Sequence, residues 1–411
     1  MTSLRALRPA FPILLGASLM LTLSMGIRQS LGIFMQPLTQ DIAISISEFT
    51  VAIAIQNLAW GFTQPIAGAY AARHGFRPVV MIGAGLYITG LTLMAAAQGF
   101  LSIMIGAGVL IGMSLSCIAS SVSMAVAARS VPASSRSLVL GIVSAAGSLG
   151  ALIAAPLGQA LNQEYGWRFG IAGFVILSLA LIPATWLAGK VDKIPLPPAP
   201  SNDMDGVSAR TVIGRALGNP SFIVMTMAYF VCGMQLVFLT THLPTYLAIC
   251  GMDPMLSAQT LGVIGGFNVI GSLFFGWAGG RWNKLALLGG IYFSRSLILA
   301  WYFMQTPTPT MTLIFAALMG FLWLGVGPLV AGAIVEMFGL KWQAMIAGLA
   351  FMSHQLGSFL GALGGGLIYD SLGSYTLAWQ VGVTIGLTAG LVQIAFALIR
   401  PPEPPLAMQT R

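Results

Sequence analysis

An arginine stands inside an apolar run. Arg28 occurs in Gly26-Ile27-Arg28-Gln29-Ser30-Leu31-Gly32-Ile33-Phe34, within a stretch from Phe11 to Phe34 that otherwise reads as one apolar helix. A charge in hydrocarbon is costly, and such groups usually face a bundle interior or a watery cavity and mark functional sites. No Asp or Glu lies in any of the apolar runs to neutralise it. The chemistry it offers is recognition of an anion. A guanidinium holds a carboxylate through two parallel hydrogen bonds, which low dielectric strengthens. The competing role is structural: Arg28 lies twenty residues beyond Arg8, about 30 Å along a helix, and could send its head to the outer interface.

Other polar residues at membrane depth carry weaker signals. Arg295 lies eleven residues past Lys284, roughly 16 Å into its helix, where a structural or gating role competes with direct ligand contact. His354, followed by Gln355, is the side chain within a span that can titrate near neutral pH. It is the proton-coupling candidate; a neutral histidine bonded to a neighbouring helix is the alternative. His242, in Thr240-Thr241-His242-Leu243-Pro244-Thr245-Tyr246, is a gate candidate because Pro244 can break the helix there, against an ordinary helix end. Gln64, Tyr229, Gln235, Asn268, Ser272 and Gln355 are candidates to line a substrate cavity, with interhelical hydrogen bonding as the default for each.

The elements that must position these groups follow from composition. The chain has 411 residues, 57% hydrophobic and 7% charged, with mean hydropathy +0.89. Soluble domains carry roughly 25% charge, so this is an integral membrane protein. Alternating-polarity strands of a barrel are absent, and the spans are helical. Twelve are expected, at 12–36, 49–71, 78–97, 101–127, 137–160, 169–188, 221–247, 257–279, 285–304, 310–335, 344–367 and 376–399. The N-terminus reads like a signal peptide, but its run is long and Arg28 replaces a cleavage site, so a retained first span is expected. Fifteen of the eighteen cations fall in the even-numbered loops and at the two ends. The positive-inside rule then places both termini in the cytoplasm. The net charge of +8 therefore marks a membrane side rather than a nucleic-acid partner.

One long hydrophilic stretch, 189–219, contains Pro195-Leu196-Pro197-Pro198-Ala199-Pro200 and reads as an extended linker. It divides the chain into a six-helix bundle at 1–188 and another at 220–411. The halves repeat. Gly68-Ala69-Tyr70-Ala71-Ala72-Arg73 matches Gly276-Trp277-Ala278-Gly279-Gly280-Arg281 at an offset of 208, and Gly141, Gly150, Gly158 and Gly166 match Gly348, Gly357, Gly365 and Gly373 at 207. Parallel repeats of this kind place a substrate site near the midplane, between the halves. The runs Gly147-x-x-Gly150 and Gly361-x-x-Gly364-Gly365-Gly366 are expected to pack helices closely. No Gly-Lys-Ser/Thr follows them, so they are not phosphate loops and this chain holds no ATP-driven motor. Cys117, Cys232 and Cys250 fit no metal or disulfide pattern, no catalytic triad occurs, and no cofactor is expected.

Two six-span halves, the central linker and the loop after span 2 resemble the major facilitator superfamily. Its loop signature, Gly-x-x-x-Asp-Arg-x-Gly-x-Arg/Lys, is matched by Gly68, Arg73, Gly75 and Arg77, with Ala72 in place of the acid. Gly276 and Arg281 match it in the second half, where Gly280 replaces the acid. The resemblance implies a gating or structural role for Arg73, Arg77 and Arg281. Trp167-Arg168 after Gly166 resembles the family's loop between spans 5 and 6. Within the family, Arg28-Gln29-Ser30-Leu31-Gly32-Ile33-Phe34 and Arg136-x-Leu138-x-x-Gly141-x-x-x-Ala145 resemble the bacterial monocarboxylate-porter branch. The acid and arginine of that branch's span 8 fall on Asn268 and Ser272.

The expected protein is thus an all-α, twelve-helix secondary transporter of the bacterial inner membrane. It would be a monomer that moves a small organic anion, a monocarboxylate, by alternating access, with a proton as co-substrate. An exporter of drugs or siderophore-like molecules and a non-transporting sensor are the alternatives.

Overall fold

The computed structural model describes residues 8–195 and 208–399, so the proline-rich part of the expected linker, 196–207, lies outside the described residues. The described residues are helical throughout, without strands. Contacts divide the chain into two compact units, Met1–Leu196 with Leu340–Gly348, and Pro197–Gly339 with Leu349–Arg411.

The first unit contains α1 (Phe11–Ser30), α2 (Ile46–His74), α3 (Phe76–Ala95), α4 (Ile111–Ile118), α5 (Ser120–Ser130), α6 (Ala133–Tyr165), α7 (Trp167–Ser178) and α8 (Leu181–Ala188). The second contains α9 (Ala209–Leu217), α10 (Pro220–Ile249), α11 (Pro254–Ala278), α12 (Lys284–Phe303), α13 (Pro309–Trp323) and α14 (Val326–Phe338). It also takes the larger part of α15 (Gln343–Leu372) and α16 (Thr376–Ile399). Eleven described segments are long and apolar enough to cross a membrane. The twelfth expected span is α2, a helix of 29 residues. Gln56, Asn57 and Gln64 dilute its apolar character, and those residues recur below.

Local signals start and stop these helices. Ser45 caps α2: its hydroxyl accepts from the Glu48 amide at 3.1 Å, and the Glu48 carboxylate accepts from the Ser45 amide at 2.7 Å. The bonds it accepts from the Ser45 amide and hydroxyl hold the Glu48 carboxyl below the usual carboxylate range. Gly75 ends α2 with φ +90°, a conformation that disfavours any side chain. Gly166 and Gly373, matched by the repeat, both adopt positive φ.

Four expectations need correction. Span 4 is not one helix. It runs through a π-helical stretch, Met104–Leu110, and breaks at Ala119, whose ψ of −157° leaves the helical region. Span 10 is interrupted between α13 and α14, 205 residues later, at Leu324 and Gly325. The break that Pro244 could make, the basis of the gate candidacy of His242, does not occur, since α10 continues to Ile249. The stretch 189–219 is not extended throughout: residues Gly189–Lys193 form a 3-10 turn, and α9 buries Val212 and Ala216.

Candidate functional site

In the first unit the site is built around Arg28, in the last turn of α1, where the helix tightens into a 3-10 turn over Leu31–Phe34. Close backbone packing fixes this position. A Cβ on Gly26 would collide with the backbone of Gly150 on α6, and one on Gly150 with the Thr22 carbonyl. The Thr22 hydroxyl donates to the Ala146 carbonyl at 2.8 Å. Arg28 is half-buried. Its Nε donates to Gln56 Oε1 at 3.0 Å and its Nη2 to Asn57 Oδ1, while its guanidinium carbon lies 5.1 Å from the Trp60 ring centroid. All three partners belong to α2, so the head is held between helices instead of running out to an interface.

That cradle is itself supported. Gln56 Nε2 donates to the Ala107 carbonyl at 2.7 Å. Trp60 Nε1 donates to Gln64 Oε1 at 2.9 Å, and Gln64 Nε2 donates to the Ser116 carbonyl at 2.8 Å. Gln64 therefore uses both ends of its amide to orient the Trp60 indole. None of the ion pairs among the described residues involves Arg28. Its acceptors are neutral amides, so the cation keeps its full charge. A guanidinium has five N–H donors, and these two amides account for only two of them.

In the second unit, His354, Gln355 and Tyr229 come together. His354 Nδ1 lies 3.3 Å from Gln355 Oε1 and 3.4 Å from Ser358 Oγ. Its ring stacks on Phe351 with centroids 5.5 Å apart and meets Tyr229 at 4.6 Å. Gly233 permits this, because a Cβ there would strike the His354 carbonyl. Gln235 belongs to a different group. Its Nε2 donates to Ser296 Oγ at 3.0 Å and to the Gly382 carbonyl at 2.9 Å, and its Oε1 accepts from Arg295 Nη2 at 3.5 Å. Arg295 is fully buried in α12.

His242 bridges α10, α15 and the start of α16. Its Nε2 is 2.9 Å from the Ala362 carbonyl and its Nδ1 3.2 Å from the Tyr375 hydroxyl. A carbonyl only accepts, so the proton sits on Nε2 and Nδ1 accepts from Tyr375. Asn268 Oδ1 accepts from the Leu324 amide at 2.8 Å, satisfying the backbone where α13 and α14 part. Ser272, one turn along, is fully buried. Of the second glycine run, Gly361 and Gly365 face the Met234 backbone and the Phe238 and His242 rings, whereas Gly364 has open space beside it. Close packing is thus not its role throughout.

At the loop after α2, Arg73 is exposed. The Arg77 guanidinium lies 5.9 Å from the Trp186 centroid, and Arg281 lies 4.2 Å from that of Trp277. The acid that Ala72 lacks comes from elsewhere. The Asp192 carboxylate accepts from the Phe76 and Arg77 amides at 2.8 Å each, capping α3, and approaches Arg129 at 3.9 Å. A negative charge at a helix N-terminus is favourable. No group of three or more metal-binding side chains occurs among the described residues.

Sequence reasoning missed Gln56, Asn57 and Trp60. The signal was available: adjacent amides in an apolar run, spaced one turn from a tryptophan and facing a span with an unneutralised arginine. Asp192 could not have been found, since it lies 115 residues from the amides it caps.

The profile of the Major Facilitator Superfamily matches residues 17–362. Monocarboxylate transporter 13 of Rattus norvegicus is 26% identical, over 90% of this chain and 84% of its own length. An uncharacterized MFS-type transporter of Bacillus subtilis, YcxA, is 23% identical, over 90% and 91%. Among solved structures, the proton:xylose symporter XylE superposes with a TM-score of 0.71 at 15% identity, over 95% of this chain and 96% of that one. The FucP transporter in its outward conformation gives 0.70 at 17%, over 94% and 98%.

Proposed function

This chain belongs to the Major Facilitator Superfamily and is a multi-pass membrane transporter, not an enzyme, and from that premise we propose that it carries a small monocarboxylate across the bacterial inner membrane by alternating access. The observation that carries the reading is Arg28: a guanidinium oriented by neutral amides, with no carboxylate paired to it among the described residues. A ligand carboxylate meeting its remaining donors gains a charge-assisted contact that a neutral ligand lacks. The likeness to monocarboxylate transporters over nine-tenths of the chain supports the same ligand class. Both termini lie in the cytoplasm on this reading, as the cation bias requires.

His354 supplies the coupling proton. It is a titratable ring among Tyr229, Phe351, Gln355 and Ser358. Protonation turns its Nδ1 into a donor suited to the Gln355 oxygen. Gln64 and Asn268 serve by orienting Trp60 and holding the α13–α14 break. Purified protein in proteoliposomes should accumulate a labelled monocarboxylate when the lumen is alkaline. Accumulation of a neutral sugar in preference to every carboxylate offered would refute the reading.

A further inference from the structure

A second cation lies wholly inside the second unit, and protein groups do not satisfy it. Arg295 is fully buried. Its Nη2 donates to Gln235 Oε1 at 3.5 Å, a long bond to a neutral amide. Its Nε and Nη1 are buried with no partner. One turn earlier, the Tyr292 hydroxyl is also buried with no partner. The guanidinium carbon lies 5.7 Å from the Tyr292 ring centroid; Tyr292 is within electrostatic reach of Tyr229, and Arg295 of His354. Two nitrogens of the guanidinium itself and the nearby Tyr292 hydroxyl lack acceptors, and among the described residues no acidic side chain is paired with the charge. Removing a charge from water without a counter-charge is strongly unfavourable, and buried donors without acceptors add to that cost.

Space exists beside Gln235, the neutral partner of Arg295. A cavity of about 120 Å³ is walled by Gln235, Leu299, Gly361, Gly364, Trp379 and Gly382, among others. Gln235 joins the two, since it lines the cavity and accepts from Arg295. A water needs only about 10–15 Å³ of such space, so the cavity has room for a halide or a carboxylate of a few heavy atoms.

The repeat gives this arrangement a counterpart. Arg28 and Gln235 are 207 residues apart, and Tyr87 and Arg295 are 208 apart, the same two offsets that relate the halves. Tyr87 is within electrostatic reach of Arg28. Each half thus carries one cation in the same pair of helices, half-buried on the first helix in one half and fully buried on the third in the other.

We propose that Arg295, Tyr292 and Gln235 form a second anion site, within the second unit, which takes a small monovalent anion, a short carboxylate or a halide. It is independent of the Arg28 site. Acetate and chloride serve as test anions, each titrated into the purified full chain against sulfate at constant ionic strength while tryptophan emission is followed. A saturable change should appear that is absent from Trp379→Phe, because Trp379 walls the cavity. Arg295→Gln should weaken it by at least about tenfold, Arg295→Lys by less, and Arg28→Gln should leave its half-saturation unchanged. Saturation by acetate alone identifies a carboxylate, and saturation by chloride a spherical ion. In sulfate alone, Arg295→Gln should unfold at or above the wild-type temperature, because an unneutralised charge has been removed, and acetate or chloride should raise only the wild-type midpoint. The proposal is overturned if neither anion gives a saturable change, or if Arg295→Gln titrates like wild type. It is equally overturned if the change is lost in Arg28→Gln but kept in Arg295→Gln, or if Arg295→Gln is destabilised in sulfate.

Discussion

Replacing Arg28 by glutamine tests the carboxylate site and its cradle together. Considered as an unneutralised charge in an apolar run, Arg28 would be better removed for stability. The structure reverses that expectation. Its Nε and Nη2 both donate to amide oxygens of α2, and its guanidinium lies over Trp60. Gln56 is 1% exposed, so its Oε1 cannot turn to water when the arginine goes. An orphaned buried acceptor costs about 1–3 kcal/mol, and glutamine is too short to restore both bonds. Arg28→Gln should therefore lower stability by about 1–3 kcal/mol. The same substitution removes the cation from the ligand. A bond from a charged donor contributes about 1.5–3 kcal/mol, and 1.4 kcal/mol is tenfold, so monocarboxylate affinity should fall by at least about tenfold. Arg28→Lys keeps the charge but loses the fork, and should fall between. The assay is thermal unfolding of wild type and both variants, with and without the carboxylate that most stabilises wild type, at equal folded concentration. A double-mutant cycle with Gln56→Leu should show coupling of about 0.5–3 kcal/mol. Equal affinity in all three proteins would refute the binding role. A Gln variant more stable than wild type, uncoupled from Gln56, would refute the cradle.

Further outcomes follow from the same geometry. If His354 carries the proton, His354→Gln should abolish uphill, pH-driven uptake while sparing exchange of substrate across the membrane; unchanged pH dependence would leave His354 a structural residue beside Tyr229. Asn268→Leu removes the side-chain acceptor of the part-buried Leu324 amide, and should destabilise the protein by about 0.5–1.5 kcal/mol, read as a lower unfolding midpoint; an unchanged midpoint would show that the α13–α14 break does not depend on that cap. Cysteines placed singly at Ser201 and Ser374, in a background lacking Cys117, Cys232 and Cys250, should label from the cytoplasmic and outer sides respectively, and labelling of both from outside would sink the inside placement of the termini.

The sequence by itself determined the helical membrane class, the number and order of the long apolar segments, and the repeat. These depend on composition and on periodicity within a segment, which are local quantities. It also picked out Arg28, because one charge in a run of hydrocarbon is conspicuous without knowledge of its neighbours. Tertiary structure decided what each polar residue touches. Gln64 and Asn268 could, from the sequence, line a cavity or bond a neighbouring helix; in the packed structure one orients Trp60 and the other caps a broken helix. Arg295 and Gln235 are 60 residues apart and meet only because α10 and α12 pack together. The loop after α2 lacks its acid in sequence and regains one from Asp192, over 115 residues away. The interruption at Ala119 carries no proline and depends on what the neighbouring helices offer the freed backbone groups, whereas that at Leu324 lies four residues before Pro328, which has no N–H to give the Leu324 carbonyl. Hydrophobicity is a property of the segment, whereas hydrogen-bond satisfaction belongs to the pair, and pairs exist only once the helices have packed.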